Sequence, residues 1–522
     1  MTDRALHPPA AVLFLLILAL LAAGLEQLGS MHRHDRHPGH QHASVDVDAT
    51  PARLVPAGSD ARAGGLAVAH HAGGVPARMG NQVPQTTMTY TGTHALEPTL
   101  GVDALGRIFY AGADMNWVPA ENSNPRLGIW SPRLLRTADE GATWTAVTPP
   151  SHPVTLDPFI HVDGDTGRVF TADIQEVACG TVSFSDDAGA SWTTSKPCGL
   201  TDHQNLFTGP PPAGAPPTIG YPNIVYYCAI DAGIMTASFA TGCLRSRDGG
   251  LTWVRTGDVA YGNNLDAERG DYFDIAGLCY GGTGHGVVGR DGTVYLPRGW
   301  CDQPWLAISE DEGATWRRVQ VADNGIPFDS NALIHDHEAA VAVDEQGTLY
   351  YAWVGADRRP YLATSVDRGT TWSEPEMIGP PGLTEAWGPK IVVGQPGRVA
   401  VAYIGSTNAP GGEAPDGQGP EYTDDVTWNG YLTVTRNALA KRPIYMTGTV
   451  NHPNDPLERG ECGIPACGTQ VDFIGLAIGP DGTPWTSMSD GCPPPGSACA
   501  DIGLGVLGSM RGAELLSRPR SP

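Results

Sequence analysis

Lysine is the residue type that this sequence has least of for its length. The chain has 522 residues and a formal net charge of −24, yet its only lysines are Lys196, Lys390 and Lys441. Charged residues make up only 17% of the chain, and long Ala/Leu/Glu/Lys-rich stretches are absent. Helical bundles and coiled coils need such stretches, so they are excluded. Nucleic acid is excluded as a partner because phosphate binding needs clustered basic side chains.

Several catalytic signatures are also missing from the sequence. It contains no Gly-x-Ser-x-Gly nucleophile motif, no phosphate-binding Walker loop and no His-Glu-x-x-His zinc motif. Cys-x-x-Cys is absent as well, which argues against a zinc site built from cysteines. Function therefore has to be argued from the fold and from scattered side chains.

Long apolar runs are absent except for one, from Ala10 to Leu25. As a helix this run spans about 24 Å, which is short of the roughly 30 Å hydrocarbon core. The small residues Ala22-Ala23-Gly24 lie at the end of the run, as at a signal-peptidase site. We expect residues 1–30 to be a signal peptide, with an uncleaved membrane anchor as the alternative. Either reading places the rest of the chain in a secreted, extracellular or cell-envelope location, and membrane contact would come only through an uncleaved segment.

Ten cysteines fit an exported protein, because they are even in number and locally spaced. We expect disulfides between neighbours, with the pairing of the last four left open. The candidate half-cystines are Cys179 with Cys198, Cys228 with Cys243, Cys279 with Cys301, and the group Cys462, Cys467, Cys492 and Cys499.

Glycine and proline are abundant, at 67 and 45 residues, or about a fifth of the chain. This composition favours an all-β protein with many turns. We expect residues 31–82, rich in His, Gly and Ala, to be a flexible linker. Residues 83–515 would form the folded domain, and residues 516–522 a tail.

An octapeptide of the pattern Ser/Thr-x-Asp-x-Gly-x-Thr/Ser-Trp occurs five times. Its aspartate can accept hydrogen bonds from the turn, and its glycine tolerates positive φ, so the pattern predicts a tight hairpin. The five aspartates are Asp139, Asp187, Asp248, Asp311 and Asp367.

A second unit, strand–Gly turn–strand, alternates with the octapeptides, and a third strand follows each such unit. A repeated four-stranded unit of this period predicts a single β-propeller. We count seven blades, with six as the alternative. The last blade would borrow its outer strand from Gln85–Thr91.

The octapeptides resemble the Asp-box, or bacterial neuraminidase repeat, of sialidases and other secreted propellers. The resemblance implies that the boxes are structural, lie on the hairpin between the third and fourth strands, and point away from the active face. It also implies a glycoside hydrolase or a glycan- or protein-binding propeller. A sialidase would need an Arg-Ile-Pro motif at the first blade, where this chain has Leu96-Glu97-Pro98. Because Glu97 would repel sialic acid, this departure puts sialidase activity in doubt.

We expect the functional residues on the opposite face, where first strands begin and second strands end. Three interpretations stay open: a hydrated acidic mouth without chemistry, a glycosidase carboxylate pair, or a divalent cation such as Ca²⁺. The candidate catalytic residues are Glu97, Asp114, Asp157, Glu338 and Tyr403. The candidate substrate-binding residues are Arg298, Arg358, Arg359 and Trp387, and the candidate metal ligands are His337 and Asp357.

Overall fold

The computed structural model describes fifteen parts of the chain. These are residues 62–78, 83–114, 131–150, 157–176, 179–200, 203–231, 240–262, 283–300, 303–325, 339–410, 423, 425–452, 454–460, 473–492 and 503–516.

The described chain begins with four strands that lie outside the main repeat. They are β1 (Arg62–Leu66), β2 (Val68–His71), β3 (Val75–Pro76) and β4 (Gln85–His94). A single 3-10 turn, Ala72–Gly74, separates β2 from β3. These strands join the outer edges of sheets formed later in the chain.

The repeating part forms antiparallel sheets, here called blades and numbered along the chain. Blade 1 contains β5 (Leu96–Val102), β6 (Ile108–Asp114), β7 (Ser131–Thr137) and β8 (Thr145–Ala146). Blade 2 contains β9 (Phe159–Val162), β10 (Val169–Glu176), β11 (Cys179–Ser185) and β12 (Thr193–Ser195). Blade 3 contains β13 (Asn205–Gly209), β14 (Ile224–Asp231), β15 (Ala240–Ser246) and β16 (Val254–Arg255). Blade 4 contains β17 (Val287–Val288), β18 (Val294–Trp300), β19 (Gln303–Ser309) and β20 (Arg317–Gln320).

The remaining blades continue the pattern, with additions at two outer edges. Blade 5 contains β21 (Ala339–Val343), β22 (Leu349–Val354), β23 (Pro360–Ser365) and β24 (Glu376–Met377). Blade 6 contains β25 (Glu385–Val393), β26 (Val399–Ser406), β27 (Thr427–Thr435) and β28 (Tyr445–Thr449), with β29 (Glu458–Arg459) paired to β27. Blade 7 contains β30 (Gly475–Ile478), β31 (Pro484–Asp490) and β32 (Leu504–Arg511), and β4 is its fourth strand.

The blades close into a ring around a central channel. The first strand of each blade contacts the first strand of the next blade, and β30 of the last blade contacts β5 of the first. The prediction of an all-β propeller is confirmed. The sequence left the number of blades open between seven and six, and the described strands form seven sheets. The predicted ring closure is also confirmed, because β4 pairs with β32 through Met88 opposite Gly508 and Thr89 opposite Leu507.

Part of the region expected to be a linker, residues 31–82, forms strands over residues 62–76. Here β1 pairs with β4, and β2 pairs with β28 on the outer edge of blade 6. Ala67, Ala69 and His70 are buried against these blades. Small residues carry little hydrophobic alternation, which is why the sequence showed no strand signal. Residues 1–61, including the predicted signal or anchor, lie outside the described residues, as does most of the 516–522 tail.

The five octapeptides form hairpins between the third and fourth strands of blades 1 to 5. In each hairpin the first Ser or Thr hydroxyl donates to the aspartate at 2.7 to 2.8 Å. The same hydroxyl oxygen accepts the glycine N–H at 2.7 to 2.9 Å. The glycines have φ between 77° and 99°, as the sequence predicted. The hairpin therefore folds around one buried hydroxyl and one carboxylate.

Three of the five octapeptide tryptophans connect neighbouring blades through hydrogen bonds. The Trp192 ring N–H donates to the Val147 carbonyl at 2.9 Å, and Trp253 donates to the Ser195 hydroxyl at 2.9 Å. Trp316 donates to the Asp258 carbonyl at 3.1 Å. Since each acceptor belongs to the preceding blade, these rings fasten the outer strands of adjacent blades together.

Two of the expected disulfides are present, Cys179–Cys198 in blade 2 and Cys228–Cys243 in blade 3. Cys492 is also disulfide-bonded. The other candidate half-cystines, Cys279, Cys301, Cys462, Cys467 and Cys499, lie outside the described residues. Within the described part of the chain, no helix is long and apolar enough to cross a membrane.

Candidate functional site at the channel mouth

The end of the ring where first strands begin and second strands end is here called the channel mouth. Strand order places the octapeptide hairpins at the opposite end, because they follow the third strand of each blade. The mouth carries buried carboxylates that are between 0% and 6% exposed. They are Glu97, Asp157 and Glu385 at the starts of first strands, and Asp114, Asp173 and Asp490 at the ends of second strands. Burying carboxylates is costly unless they are paired or hydrogen-bonded, so their concentration here calls for a reason.

Asp114, at the end of β6, is held by two basic side chains. Arg133 Nη2 lies 3.2 Å from Asp114 Oδ2, and Arg133 Nε donates to the same oxygen at 3.3 Å. His94 Nδ1 lies 3.8 Å from Asp114 Oδ1. The pKa of His94 is lowered by burial, and the carboxylate of Asp114 opposes that shift. Asp114 is thus a positioned carboxylate in an ion pair.

Glu97 lies in an irregular part of β5. Its φ is 50°, and the pairing of β5 with β6 shifts register between Leu96 and Thr99. The same irregularity recurs in blade 6, where Gly388 has φ 59° and the register shifts between Trp387 and Lys390. A non-glycine residue at positive φ is strained, and such residues concentrate at functional sites. The sequence alone could show Glu97 only as a departure from the sialidase motif.

Phe473 lies across the axis of the channel at its mouth end. Its ring centroid is 6.1 Å from that of Phe159, 5.8 Å from that of His285 and 5.9 Å from that of His203. Lys390 Nζ lies 5.3 Å from the same ring. These neighbours come from blades 2, 3, 4 and 6, so a side chain preceding blade 7 can reach them all only at the centre. Phe473 is fully buried and closes this end of the channel.

The predicted substrate-binding arginines belong to two neighbouring blades, 4 and 5. Arg298, in β18, is fully buried, donates to Thr241 Oγ1 at 2.9 Å and lies 5.8 Å from the Tyr261 ring. Burial lowers the pKa of Arg298 to about 10. Arg358 and Arg359 lie in the short turn between β22 and β23. That turn follows a second strand, so it lies at the mouth end of blade 5.

Two further candidates lie in the apolar core. Tyr403 is fully buried in the middle of blade 6, stacks on Tyr431 at 5.5 Å and bonds to the Thr433 hydroxyl at 3.0 Å. Trp387, in β25, is 5% exposed and packs in another apolar cluster. A nucleophile has to touch its substrate, and in this structure the Tyr403 side chain is fully buried, so its role as a nucleophile stays a prediction. The approximate place of Tyr403 in the repeat had suggested that it lies at the mouth. It lies instead in β26, the second strand of blade 6, which is separated from the channel by the first strand.

Of the two candidate metal ligands, only Asp357 lies within the described residues. Asp357 is exposed and accepts a hydrogen bond from the Tyr361 hydroxyl at 3.0 Å. His337 and Glu338 lie outside the described residues. Among the residues that the structure describes, no group of three His, Cys, Asp or Glu side chains could hold a metal ion.

Sequence reasoning missed Lys390 and Phe159 as mouth residues. Each is the first channel-lining residue of its blade's first strand, as are Thr99, Asn205 and His285. Aligning the seven first strands on one another would have found them, since this position recurs in every repeat.

The fold and the mouth define a β-propeller with a buried acidic ring at one end of its channel. No protein-family model matches the chain, and no curated protein matches it in sequence. Solved structures of similar fold include the intramolecular trans-sialidase from Ruminococcus gnavus, with 14% identity, 82% of this chain and 98% of that chain covered, and a TM-score of 0.37. An α-L-arabinofuranosidase from Fusarium graminearum has 14% identity, coverage of 69% and 94%, and a TM-score of 0.37. The Aleuria aurantia lectin has 9% identity, coverage of 65% and 93%, and a TM-score of 0.38. At such identities and TM-scores, these similarities assign no site or activity to this chain.

Proposed function

We propose that the protein is an exported propeller that acts on glycans at the channel mouth, with neutral rather than sialylated sugars as its substrates. The observation that carries this proposal is the set of six buried carboxylates at that end of the ring. Glycoside hydrolysis uses two carboxyl groups, one as an acid and one as a base or nucleophile. The resemblance of the octapeptides to the Asp-box supports the same class of protein.

The choice of neutral sugars rests on charge. Recognition of a sugar carboxylate favours bidentate arginines. Glu97 stands where the sialidase motif has its first arginine, and Arg298 is buried in contact with Thr241 and Tyr261. An acidic mouth also repels anionic sugars. Export is supported by the Cys179–Cys198 and Cys228–Cys243 disulfides, which persist in oxidising compartments.

The test is a release assay on a panel of fluorogenic neutral glycosides and one sialoside. We expect turnover of a neutral glycoside, and a loss of about 100-fold or more in the Glu97→Gln and Asp173→Asn variants. Asp258→Asn is the matched control, because Asp258 is exposed and lies away from the mouth. A sialoside as the best substrate, or turnover that survives both mouth substitutions, would refute the proposal.

A second candidate function is glycan binding without turnover, which the ion pair between Asp114 and Arg133 favours. A carboxylate committed to an arginine is less suited to accept and donate protons during a reaction. Saturable retention on a glycan array, lost in Glu97→Gln and unaccompanied by release of any fluorogenic sugar, would support this alternative. Absence of both turnover and glycan retention would refute both functions.

A further inference from the structure

Octapeptide hairpins pack closely on the blade that precedes them. A Cβ added to Gly189 of blade 2 would lie 2.7 Å from Val147, and one added to Gly313 of blade 4 would lie 2.9 Å from Thr256. Val147 and Thr256 directly follow the fourth strands of blades 1 and 3. Distances this short leave no room for a side chain, so the octapeptide glycines close the boundary between these blades.

Blade 6 lacks the octapeptide, and a pocket of about 190 Å³ lies between its hairpin and blade 5. The blade 6 wall consists of Ala438, Leu439 and Ala440 in the hairpin between β27 and β28, together with Tyr445 of β28. The blade 5 wall consists of residues of β23, β24 and the hairpin between them. This blade 5/6 pocket therefore lies at the kind of boundary that a close-packed glycine fills in blades 2 and 4.

The blade 5/6 pocket has a buried floor and an exposed rim. Leu362 and Ala438 are buried, whereas Val366 and Leu439 are 76% and 45% exposed. Solvent therefore reaches the pocket past Val366 and Leu439. All four side chains are apolar, so the pocket offers hydrophobic contacts to a ligand that enters from this side.

Glu376, which is half-buried, is the one charged side chain among the described residues that line the pocket. Its Oε2 accepts a hydrogen bond from the Tyr445 hydroxyl. No described residue donates to its second oxygen, Oε1. A carboxylate accepts several hydrogen bonds, so Glu376 keeps acceptor capacity for a donor in the pocket.

The surroundings of Glu376 indicate the charge of such a donor. Burial raises the pKa of the Glu376 carboxyl, and the Tyr445 hydrogen bond and the charge of His71 oppose this shift only in part. A lysine or arginine paired with the carboxylate would lower its pKa instead. Lys441 and Arg442 follow in the blade 6 hairpin, but they are exposed and line no part of the pocket. Within the described residues, Glu376 thus has no lysine or arginine partner, and a cationic ligand would supply one.

We propose that the blade 5/6 pocket binds a small primary arylalkylamine, with its ring against Leu362 and Ala438 and its ammonium group donating to Glu376 Oε1. The polar contact is a charge-assisted hydrogen bond to a half-buried carboxylate. The size follows from the volume of the pocket, since an apolar cavity of about 150 Å³ binds benzene and this pocket has room for an aminomethyl group as well. A lysine side chain of a partner protein carries the same ammonium group on a thinner chain, which would leave the ring-sized space unfilled.

The experiment is titration of the full-length protein with benzylamine, followed by ligand-observed NMR. The buffer contains about 0.15 M salt, which screens the general attraction of an acidic protein for cations. We expect saturable binding of benzylamine to a single site. Benzyl alcohol lacks the charge, and butylamine mimics the side chain of lysine, so each should bind at least about tenfold more weakly.

Glu376→Gln should weaken benzylamine binding by about tenfold or more, because it removes the charge and keeps the shape of the side chain. Glu374→Gln is the matched control, because Glu374 is exposed, lies two residues earlier and lines no part of the pocket. Its benzylamine affinity should stay within about twofold of the unsubstituted protein. Tyr445→Trp should abolish saturable binding, because the larger ring that octapeptides carry at this place would fill the pocket.

Absence of saturable benzylamine binding, equal affinity for benzyl alcohol or butylamine, or equal losses in Glu374→Gln and Glu376→Gln would each overturn the proposal. Unchanged benzylamine affinity in Glu376→Gln would also overturn it, and this test is decisive even if Tyr445→Trp does not fold. A loss of benzylamine binding in Glu97→Gln would place the amine at the mouth, again overturning the proposal. Since none of these readouts measures glycan release or retention, the outcome is independent of the function proposed for the mouth.

Discussion

Removing the hydroxyl of Ser309 tests directly how the octapeptide hairpins stabilise the ring. Ser309 is 1% exposed, donates to Asp311 at 2.8 Å and accepts the buried Gly313 N–H at 2.8 Å. Ser309→Ala removes both bonds and leaves the Gly313 N–H without an acceptor. An unsatisfied buried donor costs about 1–3 kcal/mol, so we expect a loss near 2 kcal/mol in the free energy of unfolding. For roughly 430 folded residues, that loss corresponds to about 2 °C in Tm.

The matched control for this prediction is Ser309→Thr, because blade 1 uses Thr137 at the same position with the same two bonds. Urea unfolding monitored by tryptophan fluorescence should show a lower free energy of unfolding for the alanine variant and a nearly unchanged value for threonine. If alanine is as stable as serine, or if threonine is as destabilising as alanine, the hydroxyl does not hold the hairpin and the reasoning fails.

Three further predictions concern other parts of the ring. Gly257→Ala should destabilise the protein in a thermal melt, because the added Cβ would lie 2.1 Å from the Ala314 carbonyl oxygen, whereas Gly164→Ala meets no atom within 4 Å and should be neutral. Cys228→Ser with Cys243→Ser should cost about 3 kcal/mol in urea unfolding, because the disulfide closes a loop of 15 residues in the unfolded chain. Burial lowers the pKa of His161 to about 4, so the unfolded state binds a proton below its own pKa of about 6.5 while the folded state does not. Stability should therefore fall as pH drops from 6.5 to 4, and His161→Gln should reduce this loss whereas exposed His452→Gln should not.

Local patterns account for most of what could be predicted about the fold. The octapeptide carries its own hydrogen-bond acceptors and its own positive-φ glycine, so the hairpins follow from eight residues. The position of β4 was predictable because blade 7 lacks a fourth strand of its own. In contrast, β1 is held by pairing with β4, and β2 is held by pairing with β28, which lies far along the chain. No local pattern marks such an edge strand when its residues are small.

Blade 6 keeps a hydrogen bond to the preceding blade even though its repeat has diverged from the octapeptide pattern. Blade 6 has no octapeptide, yet Thr435 on its third strand pairs with Tyr445 on its fourth strand. These two residues occupy the same places in the hairpin as the first Ser or Thr and the Trp of an octapeptide. The Tyr445 hydroxyl donates to Glu376 of blade 5, just as Trp192, Trp253 and Trp316 each donate to the preceding blade. The spacing is ten residues instead of the seven from Thr137 to Trp144, which is why the sequence pattern failed.

The candidate site was harder to predict because it depends on contacts among several blades. Asp114 and Glu97 could be placed at the mouth from strand order, and the structure finds both buried there. Phe473 could not be assigned to the axis, because its neighbours Phe159, His203, His285 and Lys390 are scattered over more than 200 residues. Only ring closure brings them together.

The two ends of the propeller place carboxylates in opposite physical situations. Hydrogen bonds from neighbouring Ser and Thr groups lower the pKa of Asp187 and of Asp367 to about 2, and both carboxylates take their donors from within their own hairpins. Those aspartates are ionised, and their carboxylate oxygens are occupied by hydrogen bonds within the hairpin. The mouth carboxylates are buried at the ends of different blades, where their surroundings come from several parts of the ring.

Because the hairpin bonds are local and the mouth is remote from them, the effects of substitutions in the hairpins and at the mouth should be additive. Ser309→Ala should therefore lower stability without changing glycan affinity or turnover, and Glu97→Gln should abolish glycan recognition in a protein that still carries all five hairpins.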